Sequence, residues 1–490
     1  MDILFVSPEV APFAKTGGLG DVAGALPKAL AGLGHRVAVM MPRYLQACRS
    51  DLACTDTGKT VSVPIMGRPV TGQVFQSTLP GSDVPVFLIH NDDYYGRDGL
   101  YVDPTTRTDY PDNCERFVFF SRAVLEAADA LDLRPDVVHV NDWQTGLIPV
   151  YVRTLYAGRR AVSHAATLFT VHNLAFQGLF WHWDMKLTGL DWELFNWRQL
   201  EFYGKLNCLK GGLVFADLLN TVSPRYAREV QSEEFGCGLD GVLTQRADDL
   251  YGVTNGVDYA VWDPAADPLI PAPYSPDDLS GKAACKRALL EASGLPPRDR
   301  VPVIGIISRL AAQKGFDILG IALDSIMELD VQMVVLGTGH QKYHDLFRAA
   351  AARHPEQLAV NLTFSNSLAH QIEAGSDLFL MPSRYEPCGL NQLYSLKYGT
   401  VPVVRAVGGL ADTVVDCTPE ALDAGVATGF VFEKHNPDAL LRTVERAVDC
   451  YRRPADWGRL IRAGMDQDWS WARSAREYVA LYERARAKRR

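Results

Sequence analysis

Short apolar runs alternate with helical patterns along nearly the whole chain. Before residue 259 the strand-like runs are Ile3–Val6, His35–Met41, Asp136–Val140, Thr167–Val171 and Leu250–Val253. After Pro302 they are Val303–Ile307, Gln332–Leu336, Leu378–Met381 and Val401–Val404. The intervening helical patterns include Ala23–Leu33, Cys285–Ser293 and Gly315–Leu329. Because strands that alternate with helices are joined by right-handed crossovers, the sequence predicts an α/β fold with doubly wound, parallel sheets.

A proline-rich stretch, Tyr259–Arg300, divides this pattern into two halves. Prolines at such density are typical of a connection between domains. We therefore predict an N-terminal domain over residues 1–258 and a C-terminal domain over 259–472, with 259–300 as the linker region. The last helix, about residues 473–490, is expected to cross back to the first domain. Ligands of open α/β sheets bind beyond the carboxyl ends of the strands, so the cleft between two such domains is the expected site.

The charge and cysteine content restrict the partners and the compartment. The 490 residues include 49 Lys and Arg against 58 Asp and Glu, a net charge of −9, which argues against a nucleic-acid partner. The nine cysteines form no C-x-x-C pair, so reduced thiols in a cytosol are expected. No signal peptide and no membrane-spanning run is visible, and we expect a cytoplasmic protein without a membrane partner.

A glycine-rich segment, Lys15–Val22, connects the first predicted strand to the first helix. Glycines let backbone amides approach a ligand, and a helix N-terminus attracts anions. Gly18–Ala23 also matches the dinucleotide fingerprint G-x-G-x-x-A, which leaves an NAD(P) dehydrogenase as an alternative. Against that alternative, the second strand ends in Met41–Arg43, where an NAD site has an acidic residue.

Two further segments combine charge with a predicted strand end in the second half. Arg309 and Lys314 flank the turn after Val303–Ile307, and such a pair of cations suits a diphosphate. Glu386 follows Leu378–Met381, where a ligand-facing carboxylate is expected. The alternative interpretations are a solvated pair of cations and an acid that complements a helix dipole.

In the first half, two strands change from apolar to polar residues at their carboxyl ends. They continue into His139–Trp143 and Thr170–Asn173, while Thr254–Asp258 lies near the predicted hinge and is equally compatible with a plain turn. The chain contains no P-loop, no G-x-S-x-G and no H-E-x-x-H motif. These absences argue against P-loop nucleotide hydrolysis, esterase chemistry and zinc proteolysis.

Taken together and in order, these motifs resemble those of the bacterial glycogen synthases and plant starch synthases. That family consists of retaining glucosyltransferases of the GT-B type, with two Rossmann-like domains facing a cleft. The matching segments are Lys15–Val22, His139–Gly146, Phe169–Gly178, Thr254–Asp258, Trp262–Pro264, Ser308–Gly315, Pro382–Gln392 and Gly408–Thr413. The resemblance implies transfer of glucose from ADP-glucose to the non-reducing end of an α-1,4-glucan such as glycogen, without a metal or other cofactor.

The resemblance also implies roles for individual residues. In catalysis, Glu386 would stabilise developing positive charge, His172 would lie beside the reacting glucose, and three cations would neutralise the diphosphate: Lys15, Arg309 and Lys314. The implied donor-binding residues are Lys15, Gly17, Gly18, Asp142, Asn255, Arg309, Lys314, Phe364, Cys388, Gly389, Leu390 and Asn391. The implied acceptor-binding residues are Glu9, Asp21, Tyr95, Trp143 and Asn173.

Three positions depart from the family pattern. Phe364 replaces a tyrosine that would stack on adenine, His340 replaces an acidic residue on the nucleotide side, and Asn391 replaces a common threonine. Two alternatives therefore stay open beside the ADP-glucose enzyme: the same enzyme with UDP-glucose as donor, and a non-catalytic α-glucan-binding protein on the same scaffold. Because no residue pair resembles a nucleophile with its acid, front-face substitution is the mechanism that the resemblance implies.

Overall fold

In the computed structural model, which describes residues 1–49 and 52–489, the chain divides into two α/β units. The first contains Met1–Val222, Ala227–Gly256 and the C-terminal residues from Trp471 onwards. The second contains Ser223–Tyr226 and Val257–Ser470. Among the described residues, no helix is both long and apolar enough to cross a membrane.

The first unit is built on a nine-stranded sheet of order β12-β11-β7-β6-β1-β2-β5-β4-β3. A separate three-stranded sheet has the order β8-β10-β9. The strands are β1 Asp2–Val6, β2 Arg36–Pro42, β3 Thr55–Ile65, β4 Arg68–Thr78, β5 Pro85–His90, β6 Val137–Asn141, β7 Ala166–Val171, β8 Leu179–Trp181, β9 Glu201–Phe202, β10 Lys205–Asn207, β11 Leu218–Thr221 and β12 Leu250–Gly252. The helices up to this point are α1 Gly18–Gly32, α2 Leu45–Cys48, α3 Asp92–Tyr95, α4 Asn113–Ala130, α5 Leu147–Arg153, α6 Met185–Thr188, α7 Cys208–Phe215, α8 Pro224–Glu229 and α9 Asp240–Gln245.

The large sheet is parallel from β12 to β5, but β4 runs antiparallel to both β5 and β3. The central strands β1, β6 and β7 are buried on both faces, which explains why they are continuous apolar runs. The β3–β4 hairpin was not among the predicted strands. Most of its outward side chains are exposed and polar, so it lacks the apolar run by which strands such as β1 and β7 were recognised.

The second unit has a six-stranded, fully parallel sheet of order β15-β14-β13-β16-β17-β18. Its strands are β13 Val303–Ile307, β14 Gln332–Leu336, β15 Leu358–Asn361, β16 Leu378–Met381, β17 Val401–Arg405 and β18 Phe430–Phe432. Its helices are α10 Ser280–Ala292, α11 Phe316–Met327, α12 Gln341–Arg353, α13 Asn366–Gly375, α14 Asn391–Lys397, α15 Gly408–Thr413, α16 Pro419–Asp423, α17 Pro437–Tyr451 and α18 Pro454–Met465. The strand order reverses direction between β13 and β16, as in doubly wound folds.

The structure differs from the predicted linker over residues 259–300. This stretch is part of the second unit: Ile270 and Tyr274 join its core, and α10 occupies much of the remainder. The Trp262 ring lies between the rings of His370 and Tyr394, with centroid separations of 3.8 and 4.0 Å. The prolines therefore shape a packed surface segment of that unit.

The predicted first domain, 1–258, also differs in one internal segment. Ser223–Tyr226 belongs to the second unit. Its Ser223 hydroxyl donates to Asp412 Oδ2 at 2.6 Å, and the Arg225 amide donates to the same oxygen at 2.9 Å. These two hydrogen bonds are the physical reason for the assignment.

The last helix, α19 Trp471–Arg489, belongs to the first unit and packs against α1 and β7. Its Tyr482 hydroxyl lies 2.8 Å from His139 Nδ1, and the Asn220 amide donates to the Tyr478 hydroxyl at 3.1 Å. Both tyrosines are fully buried. His139, a polar residue in the middle of β6, therefore fastens the terminal helix to the sheet and does not face a ligand.

Candidate active site

In the second unit, the predicted donor-side residues follow neighbouring parallel strands. Arg309 follows β13, His340 follows β14, Phe364 follows β15 and Glu386 follows β16. Since these strands are adjacent and parallel, their carboxyl ends share one edge of the sheet. The fold thus places on one edge residues that are up to 77 positions apart in the chain.

An ion pair lies at this edge. Lys314 Nζ contacts Glu386 Oε2 at 2.6 Å, and the Ser383 hydroxyl donates to the same oxygen at 2.9 Å. Only 5% of Glu386 is exposed. A buried carboxylate is stable only when it is paired and hydrogen-bonded, and Lys314 and Ser383 fulfil both conditions. Ser383 lies inside the Pro382–Gln392 motif, but no sequence signal distinguished it as a partner of Glu386.

Two glycines allow neighbouring loops to approach the backbone on which this ion pair depends. Gly315 has φ +75°, and a Cβ there would lie 1.9 Å from the carbonyl oxygen of Pro382. A Cβ on Gly408 would lie 1.9 Å from the carbonyl oxygen of Glu386 itself. Neither approach is possible for a residue with a side chain, so the position of the ion pair depends on both glycines.

Arg309, His340 and Phe364 are exposed at the same edge, Phe364 to 82% of its surface. Within residues 1–49 and 52–489, Arg309 is in no ion pair, and its side chain donates no hydrogen bond in the structure. A free guanidinium suits a phosphate and a free aromatic ring suits a base, since both would gain contacts only when a ligand arrives.

The remaining donor-side residues contribute in a different way. Cys388 is buried, so its thiol is enclosed by protein. Its carbonyl oxygen accepts a hydrogen bond from Gln392 Nε2 at 3.0 Å. Gly389 has φ +73° and Leu390 precedes α14. Asn391 Nδ2 donates to the carbonyl oxygen of Ile307 at 2.8 Å, which ties the start of α14 to the end of β13.

In the first unit, Glu9 organises the glycine-rich segment. Its carboxylate accepts from the Thr16 amide at 2.5 Å, the Thr16 hydroxyl at 2.6 Å and the Gly17 amide at 3.2 Å. The Tyr101 hydroxyl donates to it as well, at 2.9 Å. Glu9 is buried, so its oxygens are engaged within the protein. Its structural role is to fix the turn into α1.

Lys15 and Asp21 lie together beside that turn. Lys15 Nζ contacts Asp21 Oδ1 at 2.6 Å, and the two side chains are 43% and 33% exposed. Gly17 precedes α1 and Gly18 is its first residue. An exposed ion pair of this kind is weak, so a ligand phosphate can compete with Asp21 for Lys15.

Asp142 and His172 form a second carboxylate-centred group. Asp142 has φ +56°, and its Oδ1 accepts from the His172 amide at 2.7 Å. Burial raises the pKa of Asp142 to about 7. The strained backbone of Asp142 turns its side chain toward the end of β7, and backbone strain of this kind clusters at functional sites.

The ring of His172 is held in one tautomer by Asn141. Asn141 Nδ2 donates to the carbonyl oxygen of Val6 at 2.9 Å, which leaves Asn141 Oδ1 to accept from His172 Nε2, also at 2.9 Å. His172 Nδ1 is therefore without a proton in the neutral ring. Burial lowers the pKa of His172 to about 3, so the ring is neutral in the physiological range. Asn141 belongs to the polar strand end found in the sequence, but its role emerges only from these contacts.

Trp143, Asn173 and Asn255 complete the first-unit group. The half-buried Trp143 ring packs against Phe117 and Phe180, with centroids 5.0 and 5.6 Å away. Asn173 Oδ1 accepts from the Ala175 amide at 3.1 Å. Asn255 is buried, and its Oδ1 has no hydrogen-bond partner among the described residues. An unsatisfied buried acceptor is costly, so a ligand hydroxyl would stabilise it.

Tyr95 does not fit its expected role as an acceptor-binding residue. It is fully buried, its hydroxyl donates to the carbonyl oxygen of Arg116 at 2.9 Å, and its ring packs against Tyr44. A side chain in the core cannot contact a glucan. Tyr101, which no sequence signal distinguished, is the tyrosine that reaches the glycine-rich segment through Glu9.

Known proteins match this sequence over nearly the whole chain. The family model described as "Starch synthase catalytic domain" matches residues 2–245, and "Glycosyl transferases group 1" matches residues 291–463. A glycogen synthase of Syntrophotalea carbinolica is 47% identical over 485 residues, covering 99% of each chain. A glycogen synthase of Anaeromyxobacter sp. (strain Fw109-5) is 49% identical over 483 residues, covering 98% of this chain and 99% of its own.

Solved structures lead to the same fold. The catalytic domain of starch synthase IV from Arabidopsis thaliana, bound to ADP and acarbose, superposes with a TM-score of 0.91 at 32% identity, covering 99% of both chains. A sucrose-phosphate synthase from Thermosynechococcus elongatus superposes with a TM-score of 0.60 at 15% identity, which bears on the fold alone. The predicted two-domain α/β fold of the GT-B type is confirmed.

Proposed function

The chain belongs to the glycogen synthase and starch synthase family of glycosyltransferases, and from this premise we propose that it extends α-1,4-glucans with glucose from ADP-glucose. The product is glycogen, and ADP is released. The observation that carries the proposal is the edge of the second-unit sheet, where the Lys314–Glu386 pair lies with an exposed arginine and an exposed aromatic ring. Ligand binding in a relative supports it, because the Arabidopsis structure holds ADP and acarbose.

In this proposal the second unit binds the donor. The Phe364 ring stacks on the adenine, and Arg309 and Lys314 neutralise the diphosphate. Each cation meets charge that increases as the bond to glucose breaks, so each stabilises the transition state more than the bound donor. Glu386 stabilises the positive charge that develops at the sugar, and the Ser383 hydroxyl keeps its carboxylate in place.

Residues of the first unit hold sugar hydroxyls in the same proposal. Asp142 offers a carboxylate held by the His172 amide, and Asn255 offers an acceptor oxygen that lacks a partner within the described structure. Asp21 and Asn173 bind further hydroxyls, Lys15 approaches the phosphates, and Trp143 lines the acceptor side. His172 is neutral, and its carbonyl oxygen is a candidate for stabilising the oxocarbenium-like centre.

We infer front-face substitution as the reaction. The bond between the anomeric carbon and the β-phosphate oxygen breaks, and the 4-hydroxyl of the acceptor bonds to the same face of that carbon. The hydroxyl proton passes to the departing phosphate. The configuration is retained, and no protein nucleophile is required. Neither a metal ion nor another cofactor enters the proposal, in which Lys15, Arg309 and Lys314 interact with the diphosphate.

We also place the reaction in the cytoplasm. All nine cysteines are free thiols, which supports a reducing compartment. The dehydrogenase alternative is excluded by membership of a glycosyltransferase family.

A donor comparison tests the proposal. Purified full-length enzyme is incubated with glycogen and radiolabelled ADP-glucose or UDP-glucose, with EDTA in a parallel reaction. We expect label in the polymer from ADP-glucose, an at least tenfold higher kcat/KM than with UDP-glucose, and no effect of EDTA. A preference for UDP-glucose would overturn the donor assignment, and inhibition by EDTA would overturn the metal-free reaction. Glucan binding without any transfer would indicate the non-catalytic alternative.

A further inference from the structure

The segment Trp262–Pro264 matches the family pattern, but neither its residue types nor its spacing indicates what it does. In the structure the Trp262 ring is stacked between two other rings, at interplanar angles of 9° to His370 on α13 and 4° to Tyr394 on α14. We call this stack of His370, Trp262 and Tyr394 the aromatic column. It connects the start of the proline-rich stretch to α14, the helix that begins at the donor-side residue Asn391.

One end of the column is anchored by a buried carboxylate. Asp267 Oδ2 lies 2.7 Å from His370 Nδ1, and the Tyr398 hydroxyl donates to the same oxygen at 2.6 Å. The other oxygen, Oδ1, accepts from the Leu269 amide at 2.8 Å. The side chains of Asp267 and His370 are 0% and 1% exposed. A buried carboxylate with partners at both oxygens is held in one position, so the His370 ring is a fixed surface for Trp262 to stack on.

The other end of the column is on α14, and the proline-rich stretch contacts this helix again one turn later. Lys397 Nζ lies 4.8 Å from the centre of the Tyr259 ring and 3.8 Å from Asp263 Oδ1. Tyr394 and Lys397 are three positions apart and therefore share a face of the helix. The start of the proline-rich stretch thus holds this face of α14 through a ring stack, a cation–π contact and an ion pair.

Helix α14 in turn holds the loop that precedes it. Gln392, fully buried in the first turn, donates from Nε2 to the carbonyl oxygens of Cys388 and Gly389, at 3.0 and 3.1 Å. A Cβ on Gly389 would lie 2.3 Å from Gln392 Oε1, so the loop backbone lies directly on this side chain. The same loop begins beside Glu386. A shift of α14 therefore moves the backbone of two residues that the resemblance assigns to the donor.

Burial of apolar surface alone does not require a stack of this kind. Aromatic pairs prefer offset or edge-to-face arrangements, whereas nearly parallel rings with centroids 3.8 and 4.0 Å apart lie face to face. Trp262 is also only partly buried. The flat indole thus sets the spacing between the His370 and Tyr394 rings. Its removal would leave a gap that α14 closes only by moving toward α13.

We propose that Trp262 is a positioning residue of the donor site, which holds α14 and the loop before it in the conformation that binds the nucleotide sugar. The inference rests on the proposed function, because that function assigns residues 388–391 to the donor. Trp262 acts through Tyr394 and Gln392 and does not contact the ligand itself. Its loss should therefore weaken nucleotide binding and leave the use of the glucan unchanged.

Nucleotide binding tests the proposal without turnover. Isothermal titration calorimetry measures the Kd of ADP for the full-length wild type, for Trp262→Ala and for Trp262→Phe, which keeps a flat ring. The matched control is Trp457→Ala, which removes a buried indole that packs against Tyr451 in the same unit. We expect the Kd to rise about tenfold in Trp262→Ala, because small displacements of binding groups are costly, and to change by less than about threefold in Trp262→Phe and in the control.

Two results would overturn the proposal. The first is a folded Trp262→Ala variant that binds ADP as tightly as the wild type. The second is an equal loss of affinity in Trp457→Ala, because the cause would then be a general loosening of the unit. Circular dichroism monitors the fold. If Trp262→Ala does not fold, Trp262→Leu takes its place with the same expected result, since leucine keeps apolar bulk but has no flat ring.

Steady-state kinetics separate a positioning role from a merely structural one. In Trp262→Ala we expect the KM for ADP-glucose to rise about tenfold while the KM for glycogen stays at the wild-type value, and Trp262→Phe should restore most of the loss. A reduced amount of folded enzyme would lower the apparent kcat and leave both KM values unchanged. That second pattern would contradict the positioning role.

The same variants distinguish this proposal from the proposed function. Titrations with UDP run in parallel, so the variants are compared with whichever nucleotide the wild type binds. If Trp262→Ala weakens that binding but the wild type transfers no glucose to glycogen, the proposed function fails and the role of Trp262 stands. If transfer from ADP-glucose is normal and every Trp262 variant has the wild-type KM for it, the role fails and the function stands. A wild type that binds neither nucleotide would overturn both.

Discussion

The carboxylates of Glu9 and Asp142 in the first unit are held differently from that of Glu386 in the second. In the first unit, Glu9 and Asp142 accept hydrogen bonds from backbone amides, which fixes loops in place. In the second unit, Glu386 accepts from an ammonium and a hydroxyl, and the residues beside it, Arg309 and Phe364, are exposed. Glu9 and Asp142 are thus fixed by contacts within the fold, whereas the exposed side chains of Arg309 and Phe364 would gain contacts from a ligand.

This difference predicts how activity and stability separate. Substitutions in the second-unit group should reduce turnover or donor affinity by large factors, with stability affected only where a buried charge loses its partner. Substitutions in the first-unit group should reduce stability and activity together, because a displaced loop moves every group that it carries.

The largest effect should come from Glu386→Gln. The amide keeps an oxygen for the Ser383 hydroxyl but has no charge to stabilise the developing positive charge. We therefore expect kcat to fall about a thousandfold, a typical cost for losing one preorganised electrostatic contact. The measurement is incorporation of labelled glucose into glycogen, with circular dichroism to verify the fold.

Glu291→Gln, an exposed acid on α10, serves as the matched control and should retain wild-type turnover. A Glu386→Gln enzyme within tenfold of the wild-type kcat would show that the carboxylate is not the centre of the second-unit group. The second-unit group would then not differ from the first by its role in the reaction.

Lys314→Ala and Arg309→Ala compare a buried, paired cation with an exposed one in the second unit. Loss of Lys314 leaves Glu386 buried and unpaired, so we expect kcat/KM for ADP-glucose to fall about a hundredfold and the free energy of unfolding to fall by about 3 kcal/mol. Arg309 is exposed, so its removal should weaken donor use without changing stability. Kinetics and denaturant unfolding of both variants test this prediction. If the two variants lost equal stability, the conclusion that Lys314 is in a buried ion pair and Arg309 is not would be wrong.

The fold was largely predictable because its central strands are buried on both faces. Strands β13, β14 and β16 have the bounds expected from their apolar runs alone. Helix α1 begins at Gly18, five residues before the predicted start, because its glycines resemble a loop until the capping contacts of Glu9 are known. The β3–β4 hairpin, whose side chains are mostly exposed and polar, had no comparable signal.

The geometry of the candidate site could not be predicted from the sequence. Lys314 and Glu386 were both recognisable at strand ends, yet a contact of 2.6 Å between residues 72 positions apart follows only from the sheet order. Tyr95 was expected at the acceptor side from the resemblance, and it is in the core. A resemblance assigns a role to a position, whereas exposure of the side chain depends on packing that one sequence does not reveal.

Glu9→Gln tests the structural role of the first-unit group. A glutamine side chain has one oxygen in place of two, so it cannot accept all the hydrogen bonds from Thr16, Gly17 and Tyr101. We expect the free energy of unfolding to fall by about 1 kcal/mol and kcat to fall about tenfold, since part-buried hydrogen bonds to Glu9 are lost. Urea unfolding and the glycogen assay measure the two effects. A large loss of kcat at unchanged stability would show that Glu9 acts in the reaction itself. The two units would then not differ in the way described above.

The smallest effect should be a pH dependence that originates in Asp142. Burial raises its pKa from an ordinary 3.8 to about 7, so the folded protein binds this proton more tightly than the unfolded chain does. The contribution of Asp142 to stability is therefore complete below pH 4 and is lost as the pH rises to about 7. Part of the side chain is reached by solvent, so we expect a change of about 1 kcal/mol across this window.

Asp142→Asn isolates this contribution from those of the other carboxyl groups. The asparagine has nearly the same shape as the aspartate and keeps an acceptor for the His172 amide, but it does not titrate. The free energy of unfolding of the variant, minus that of the wild type, should thus rise between pH 4 and pH 7. A flat difference would mean that Asp142 ionises as easily in the folded protein as in the unfolded chain. Its amide contacts would then compensate fully for burial.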